Sequence, residues 1–390
     1  MDNTSFIIDG YRENKVITWI TALLLYMLLY PYFVWPFVDS FQWTVLLPLF
    51  IIFFINADWK KDILYFVFFV LLTIFICINQ HQNIFGSFFV IGCSVLYIAK
   101  KGFVFSVYKH FWQIYVIIMT ISLLSMILVE SGVPLRGVQI LPLNDLKSAF
   151  YIAYPFYVKE ALSTSPRFFG VFDEPGVVGT MSLLLLFIEK FNFKRIGNWI
   201  LLVSGLLSLS LFFYLALGLL LIIRLFSNNI RTRIRIFLFL LLVGGTVFVI
   251  SNPITRQYIV ERTQWDTDKS SISGDNRASE QLKDHIESIR GTHDYYFGTR
   301  SKDIILEYAS SASLQNMVLR YGIIVLVLYF VFYVFYAKSY LGFGKKWLFF
   351  LALLFMVMYN RPSLLYIPMQ FVFNMCIFTL ATTLSPKTEA

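Results

Sequence analysis

Long apolar runs recur along almost the whole of this 390-residue chain. A helix of roughly 20 apolar residues crosses the hydrocarbon of a bilayer, where only a helix or a closed barrel satisfies its own backbone hydrogen bonds. Hydrophobic residues make up 58% of the sequence, and the mean hydropathy is +0.70. This apolar content exceeds what one water-soluble core can bury, so the sequence predicts an all-α polytopic membrane protein.

Most of the runs each predict a single span. These runs cover residues 16–35, 41–57, 63–78, 84–99, 111–129, 176–191, 234–251, 314–336, 347–359 and 363–381. One further run, 199–226, is too long for one ordinary span and short for two. A break is expected near Ser208 and Ser210, because serine hydroxyls can bond backbone groups that are freed where a helix is interrupted.

Short basic clusters orient the spans, because Lys and Arg in short loops mark the cytoplasmic side. Clusters that follow alternate spans contain Lys60, Lys61, Lys100, Lys101, Lys109, Lys190, Lys194 and Arg195. Another cluster, from Arg224 to Arg235, follows the long run, which must therefore cross twice or dip back. The sequence predicts about 12 crossings with both termini in the cytoplasm and two large loops outside it.

This topology divides the chain into membrane bundles and outer loops. The parts are an N-terminal bundle of about five spans (1–129), a first outer loop (130–175), central spans (176–251), a second outer loop (252–313) and C-terminal spans (314–390). The net charge of +9 sits in short clusters between apolar runs rather than on one face, which argues against a nucleic-acid partner. No spacing of Cys or His indicates a metal site, and no cofactor is expected.

The first outer loop ends in the sequence RFFGVFDEPGVVG, which begins at Arg167 and leads directly into a predicted span. Pro175 suits the first turn of a helix, and Asp173 or Glu174 suits its positive end. One interpretation is a capped helix in which Arg167 pairs with one of the two acids. The other is an anion site, because an arginine and a helix N-terminus both attract negative charge.

The second outer loop predicts a helix over residues 273–290, with Leu282, Ile286 and Ile289 on its apolar face. Arg277 lies on the polar face of this predicted helix. It is either an ordinary local partner of an acidic neighbour or a functional group. Both interpretations fit the spacing.

Aromatic residues and single arginines supply further candidates for binding. Tyr295 and Tyr296 come shortly before Arg300, a set that can stack on a sugar and bind phosphate or can rest on the membrane interface. Arg361 lies in a very short outer loop, where it snorkels to the interface or faces the outer cavity.

Together these features resemble the O-antigen polymerase and ligase superfamily, the Wzy-type enzymes of bacterial surface polysaccharides. The resemblance rests on the late outer loop with Arg277 and Gly298, on the entry into the next span at residues 311–322, and on an Arg-x-x-Gly…Glu-Pro-Gly element formed by Arg167, Gly170, Glu174, Pro175 and Gly176. Ligases of this superfamily resemble one another in a His-Ser or His-Asn pair before that span. At the corresponding distance before Gly322 this sequence has Ser311 and no histidine, which favours the polymerase.

The resemblance implies a metal-independent glycosyltransferase of the bacterial inner membrane. Its expected substrate is an oligosaccharide linked to undecaprenyl pyrophosphate, and its expected partners are membrane lipids and a regulator of chain length. Arg167 and Arg277 would clamp the pyrophosphate, with Glu174 or Asp173 as the proton acceptor. The expected substrate-binding residues are Arg300, Arg361, Tyr295, Tyr296 and Gly170.

Two alternatives stay open at this point. A ligase would transfer the finished glycan to the lipid A core, and a transporter would carry lipid-linked sugars or polysaccharide across the membrane. Carriers often show internal repeats and ionisable groups near the middle of the bilayer. In this sequence the two halves do not align, and the charges lie in the loops.

Overall fold

The computed structural model describes residues 13–59, 63–80, 96–141, 150–161, 167–225, 232–266, 271–272, 278–308, 314–360 and 367–382. Most of these residues are helical, as the sequence predicts. The chain forms two compact units. The first unit comprises Met1–Ile117 and Ala278–Ala390, and the second comprises Ile118–Arg277.

The N-terminal part of the first unit is built mainly from helices. Its elements are α1 (Lys15–Met27), a 3₁₀ segment (Tyr32–Phe37), α2 (Val38–Ile55), α3 (Ile63–Gln80) and α4 (Lys101–Glu130), which continues into the second unit. The first helix is shorter than the predicted span 16–35. It stops because Tyr30 adopts φ 54° before Pro31, and a residue before proline disfavours the helical region.

Helix α4 begins ten residues before the predicted span 111–129. Phe103, Val107 and Phe111 recur at helical spacing on its buried face, so the apolar stripe extends beyond the continuous apolar run. The basic clusters predict that Lys101 and Lys109 lie in a loop, and this prediction is wrong, because both residues belong to the helix.

The second unit combines a small sheet with apolar helices. Its elements are β1 (Val138–Ile140), β2 (Tyr151–Tyr154), β3 (Tyr157–Glu160), α5 (Pro175–Ile188), α6 (Ile196–Leu207), α7 (Leu211–Leu225), α8 (Thr232–Ser251), α9 (Pro253–Thr255), a π-helical segment (Arg256–Val260), a 3₁₀ segment (Glu261–Thr263), β4 (Trp265–Asp266) and β5 (Ser271–Ile272). The antiparallel sheet β1–β2–β3 in the first loop departs from the all-helical prediction. Alternating burial along β2, with Tyr151 and Ala153 inside, gives the sheet one buried face.

The long apolar run 199–226 is interrupted where the serines predict a break. Helix α6 ends at Leu207, α7 begins at Leu211, and Leu209 between them adopts φ 47°. The hydroxyl of Ser208 donates to the carbonyl of Gly205 (2.6 Å) and accepts from the amide of Ser210 (3.3 Å). The prediction of a serine-supported break is confirmed, because both bonds satisfy backbone groups at the interruption.

The C-terminal part of the first unit begins in the second loop. Its elements are α10 (Glu280–Ser288), α11 (His293–Phe297), α12 (Lys302–Tyr308), α13 (Leu314–Leu341), α14 (Lys345–Asn360) and α15 (Ile367–Thr382). Residues 273–277 of the helix predicted over 273–290 lie outside the described residues. The described helix begins at Glu280, where the hydroxyl of Ser279 accepts from the amide of Leu282 and caps it. Leu282 and Ile286 pack in one cluster with Leu319, which confirms these two residues of the predicted apolar face.

Two helices, α4 with 30 residues and α13 with 28, are long and apolar enough to cross a membrane, and α13 is kinked at the non-helical residue Gly322. Among the described residues the other apolar helices are shorter, including α1, α5, α6, α7 and α15. The 12 crossings, the two outer loops and the side on which each terminus lies stay predictions.

A buried polar network lies inside the first unit. Tyr97 bonds the hydroxyl of Tyr333 (2.7 Å) and donates to the amide oxygen of Gln370 (2.8 Å). Tyr336 donates to the side-chain oxygen of Asn374 (2.6 Å), whose amide nitrogen donates to the carbonyl of Leu96 (3.2 Å). These bonds join polar groups that have no access to water, so they fix how α13 and α15 pack.

We expect Asn374→Leu to destabilise the protein, because the substitution keeps the number and branching of the side-chain heavy atoms but removes hydrogen-bonding partners from Tyr336 and from the Leu96 carbonyl. Each buried group that loses its partner costs about 1–3 kcal/mol. The measurement is the melting temperature of the detergent-solubilised protein. In the matched control, adding Tyr336→Phe to Asn374→Leu removes one orphaned hydroxyl and recovers part of the loss. Equal melting temperatures for the wild type and Asn374→Leu would contradict the role of this network.

Candidate functional site

Arg167 lies at the broken end of α6 in the second unit. Its Nε donates to the carbonyl of Ser208 at 3.3 Å, and the amide of the next residue, Phe168, donates to the carbonyl of Leu207 at 2.9 Å. The last carbonyls of a helix lack partners within the helix and carry its negative dipole end. The segment that begins with Arg167 therefore caps α6, and this contact holds the Nε side of the guanidinium.

Tyr258 forms a second contact with Arg167. The guanidinium carbon lies 5.3 Å from the centroid of the Tyr258 ring, within the range of a cation–π interaction. Tyr258 belongs to the π-helical segment Arg256–Val260, which follows α8 and α9. No sequence motif marks Tyr258, although a helical irregularity of this kind is frequent at functional sites.

The two acidic candidates stand at the start of α5. Glu174 is the N-cap residue with an extended backbone (φ −141°, ψ 130°), and Pro175 takes the first helical position, as predicted. The carbonyl of Asp173 accepts from the hydroxyl of Tyr151 at 3.1 Å, which ties this entry to β2. Both acids are partly exposed, and they lie at the end of α5 where the helix dipole is positive, although the side chain of Glu174 makes no capping hydrogen bond.

Two glycines allow the close packing of this site. Gly170 is buried at φ 59°, and its carbonyl accepts from the amide of Val158 in β3 at 2.8 Å. A Cβ added at Gly179 would lie 2.5 Å from the Cβ of Ser210 and 2.9 Å from the Oγ of Ser208. Only glycine lets α5 approach the broken helix this closely, so Gly179 sets the position of the break beside the start of α5.

Arg262 is another cation of the second unit that the sequence analysis does not single out. It lies four residues after Tyr258 in the 3₁₀ segment Glu261–Thr263 and is partly buried. Burial lowers the pKa of Arg262, and the neighbouring Tyr258 acts in the opposite direction. The π-helical segment thus carries Tyr258, which contacts Arg167, and the 3₁₀ segment after it carries the partly buried Arg262.

The remaining described candidates belong to the first unit. Tyr295 and Tyr296 lie in α11 with their rings 5.6 Å apart in an edge-to-face arrangement, and Tyr296 is 43% exposed. Arg300 follows on an exposed position. These side chains are accessible, as stacking on a sugar requires.

Two glycines hold this aromatic segment against α13. Gly298 (φ 84°) and Gly322 (φ 80°) adopt conformations that L side chains rarely take. A Cβ added at Gly298 would lie 2.5 Å from the carbonyl oxygen of Arg320, and one added at Gly322 would collide with the carbonyl oxygen of Tyr296. The amide of Thr299 donates to the carbonyl of Leu319 at 2.8 Å. These two glycines are part of the family resemblance, and here they allow the two backbones to pack closely.

The candidates divide between the two units. Arg167, Gly170, Asp173 and Glu174 lie together in the second unit, whereas the Tyr295–Arg300 segment lies in the first. The predicted candidates Arg277 and Arg361 lie outside the described residues. No protein-family model, curated protein or solved structure matches this chain.

Proposed function

We propose that this protein is a glycosyltransferase that polymerises lipid-linked polysaccharide repeat units. The growing glycan passes from undecaprenyl pyrophosphate to a sugar hydroxyl of the incoming undecaprenyl-pyrophosphate-linked repeat. The reaction takes place at the outer face of the bacterial inner membrane, in a multi-pass protein whose termini lie in the cytoplasm. The two long apolar helices α4 and α13 support a membrane location.

The observation that carries this proposal is a held arginine, Arg167, in the same unit and on the same short segment as two acidic residues. The Ser208 carbonyl and the Tyr258 ring fix its guanidinium, and Asp173 and Glu174 follow it at the start of α5. A fixed guanidinium and a helix N-terminus both stabilise an anion. A carboxylate on the same short segment is suited to accept a proton.

The proposed step breaks the bond between C1 of the donor sugar and the pyrophosphate oxygen and forms a bond from C1 to the acceptor hydroxyl oxygen. The electron pair of the broken bond stays on undecaprenyl pyrophosphate, where negative charge accumulates. Arg167 stabilises this charge, and Arg277 is the proposed second arm of the clamp. The acceptor proton passes to Glu174 or Asp173. Tyr295, Tyr296, Arg300, Arg361 and Gly170 stay proposed substrate-binding residues.

The surface polysaccharide of cells that lack this protein tests the proposal. We expect such cells to display lipid core that carries a single repeat, and we expect the wild-type protein to restore the ladder of long chains on a gel. Long chains that accumulate on the carrier lipid without reaching the core would instead identify a ligase. Lipid-linked repeats that stay on the cytoplasmic side would identify a transporter, and either result would overturn the polymerase.

A further inference from the structure

Arg167 needs more than its bond to Ser208 to present a fixed charge. The Nε contact at 3.3 Å holds one edge of the guanidinium, but rotation about that contact changes where the remaining N–H groups point. A guanidinium recognises a phosphate oxygen pair only when its planar fork is correctly aimed. A second contact, on the face of the guanidinium, further restricts its direction.

The face contact comes from Tyr258, whose position is built by an irregular turn. The side chain of Asn252 accepts from the amides of Ile254 (3.0 Å) and Thr255 (3.3 Å), so the chain turns directly after α8. The hydroxyl of Thr255 donates to the carbonyl of Val249 at 3.0 Å, which ties the turn back to that helix. The π-helical segment begins after Thr255.

The wider π-helical turn places neighbouring side chains in different surroundings. Ile259 is 6% exposed and anchors the segment, Gln257 is exposed, and Tyr258 between them is partly buried with its ring at Arg167. A π-helical turn is rare and is frequently found at functional sites. The local hydrogen bonds of Asn252 and Thr255 support it.

We infer that Tyr258 is a positioning residue that aims the guanidinium of Arg167 at a pyrophosphate. This inference rests on the proposed function, because it assigns Arg167 to the leaving group. The electron-rich face of the ring provides the interaction, and the hydroxyl is not required. Tyr258 acts through Arg167 and does not itself touch the reacting atoms.

Binding of inorganic pyrophosphate to the full-length protein in detergent, measured by calorimetry, tests the inference. Tyr258→Phe keeps the ring and is expected to bind within about twofold of the wild type. Tyr258→Leu keeps apolar bulk but removes the ring, and the expected loss of affinity is about 2- to 30-fold. Gln257→Leu introduces the same side chain at the exposed neighbouring position and should leave the affinity unchanged.

A double-mutant cycle separates positioning from a merely structural role. In the Arg167→Ala background, Tyr258→Leu is expected to cause no further loss of pyrophosphate affinity, because the group that it aims is already absent. A tyrosine that only supports the fold would add its full loss in that background. Additive losses would therefore overturn the inference.

Two further outcomes distinguish this inference from the proposed function. If Arg167→Ala loses pyrophosphate while Tyr258→Leu binds like the wild type, Tyr258 is not a positioning residue and the clamp role of Arg167 stands. If Phe and Leu at position 258 lose affinity equally, the ring face is not the cause, and the inference is overturned. If Arg167→Ala binds pyrophosphate like the wild type, the proposed role of Arg167 and the inference both fall.

Discussion

Arg167→Ala is expected to abolish the ladder of long polysaccharide chains and leave single repeats. The substitution removes the cation that the proposed mechanism places on the leaving pyrophosphate. Loss of one preorganised charge-stabilising donor typically lowers an enzyme's rate by about 10²- to 10³-fold. The measurement is the gel profile of surface polysaccharide from cells that carry the variant, with the amount of protein in the membrane determined in parallel. A normal ladder at a normal protein level would contradict the role of Arg167.

Arg195→Ala is the matched control for this prediction. Arg195 is also a partly buried arginine of the second unit, and its Nη1 lies 2.7 Å from the Oε2 of Glu189 at the opposite end of α5. Its removal takes away the same type of side chain and an ion pair, so general effects of losing an arginine will appear there too. We expect the ladder to persist in Arg195→Ala. We expect Arg167→Lys to fall between the wild type and Arg167→Ala, because lysine keeps the charge but loses the planar fork.

Gly322→Ala is expected to be the most destabilising single-methyl change in the described part of α13. Gly322 has φ 80° and ψ 160°, a region that is essentially restricted to glycine and costs other residues about 1–3 kcal/mol. The added methyl would also collide with the carbonyl of Tyr296. Because this obstacle is backbone, the segment that carries Tyr295 and Tyr296 must move away from α13, and overpacking of this kind adds about 1–3 kcal/mol.

Gly342→Ala supplies the comparison that separates the conformational cost from the cost of the collision. Gly342 ends the same helix with φ 64°, but an added Cβ there meets nothing within 4 Å. It therefore pays only the conformational cost, about 1–2 kcal/mol. We expect Gly322→Ala to lower the melting temperature of the detergent-solubilised protein well below that of Gly342→Ala. Equal melting temperatures would show that the contact between residue 322 and Tyr296 carries no stability.

Local patterns predicted the features that depend on neighbouring residues. Pro175 begins α5 because its fixed φ and missing N–H suit a first helical turn. The break near Ser208 follows from the run 199–226, which is too long for one span and short for two, and from two serine hydroxyls that can bond the freed backbone. The early end of α1 at Met27 was missed because apolar composition outweighed Pro31, and the sheet β1–β3 was missed because its strands are only three or four residues long.

Contacts between distant parts of the chain were beyond these patterns. Arg167 and Ser208 stand 41 residues apart, and many backbones would be compatible with either residue alone. Tyr258 could not be assigned to Arg167, because its position depends on the π-helical turn after α8. Gly298 and Gly322 are recognisable as motif residues from the sequence. The reason that both must be glycine is that two backbones lie in contact there, which is visible only when both segments are in place.

The sequence by itself determined that this chain is mostly helical and apolar, where α5 starts and where the run 199–226 breaks. These properties follow from composition, spacing and local hydrogen bonding, each of which acts within a few residues. Only the tertiary structure decided that Arg167 caps the broken helix and lies on the ring of Tyr258. The physical reason is that a guanidinium can donate to any carbonyl, or lie on any aromatic face, within its reach, and packing through Gly179 selects which of them is near.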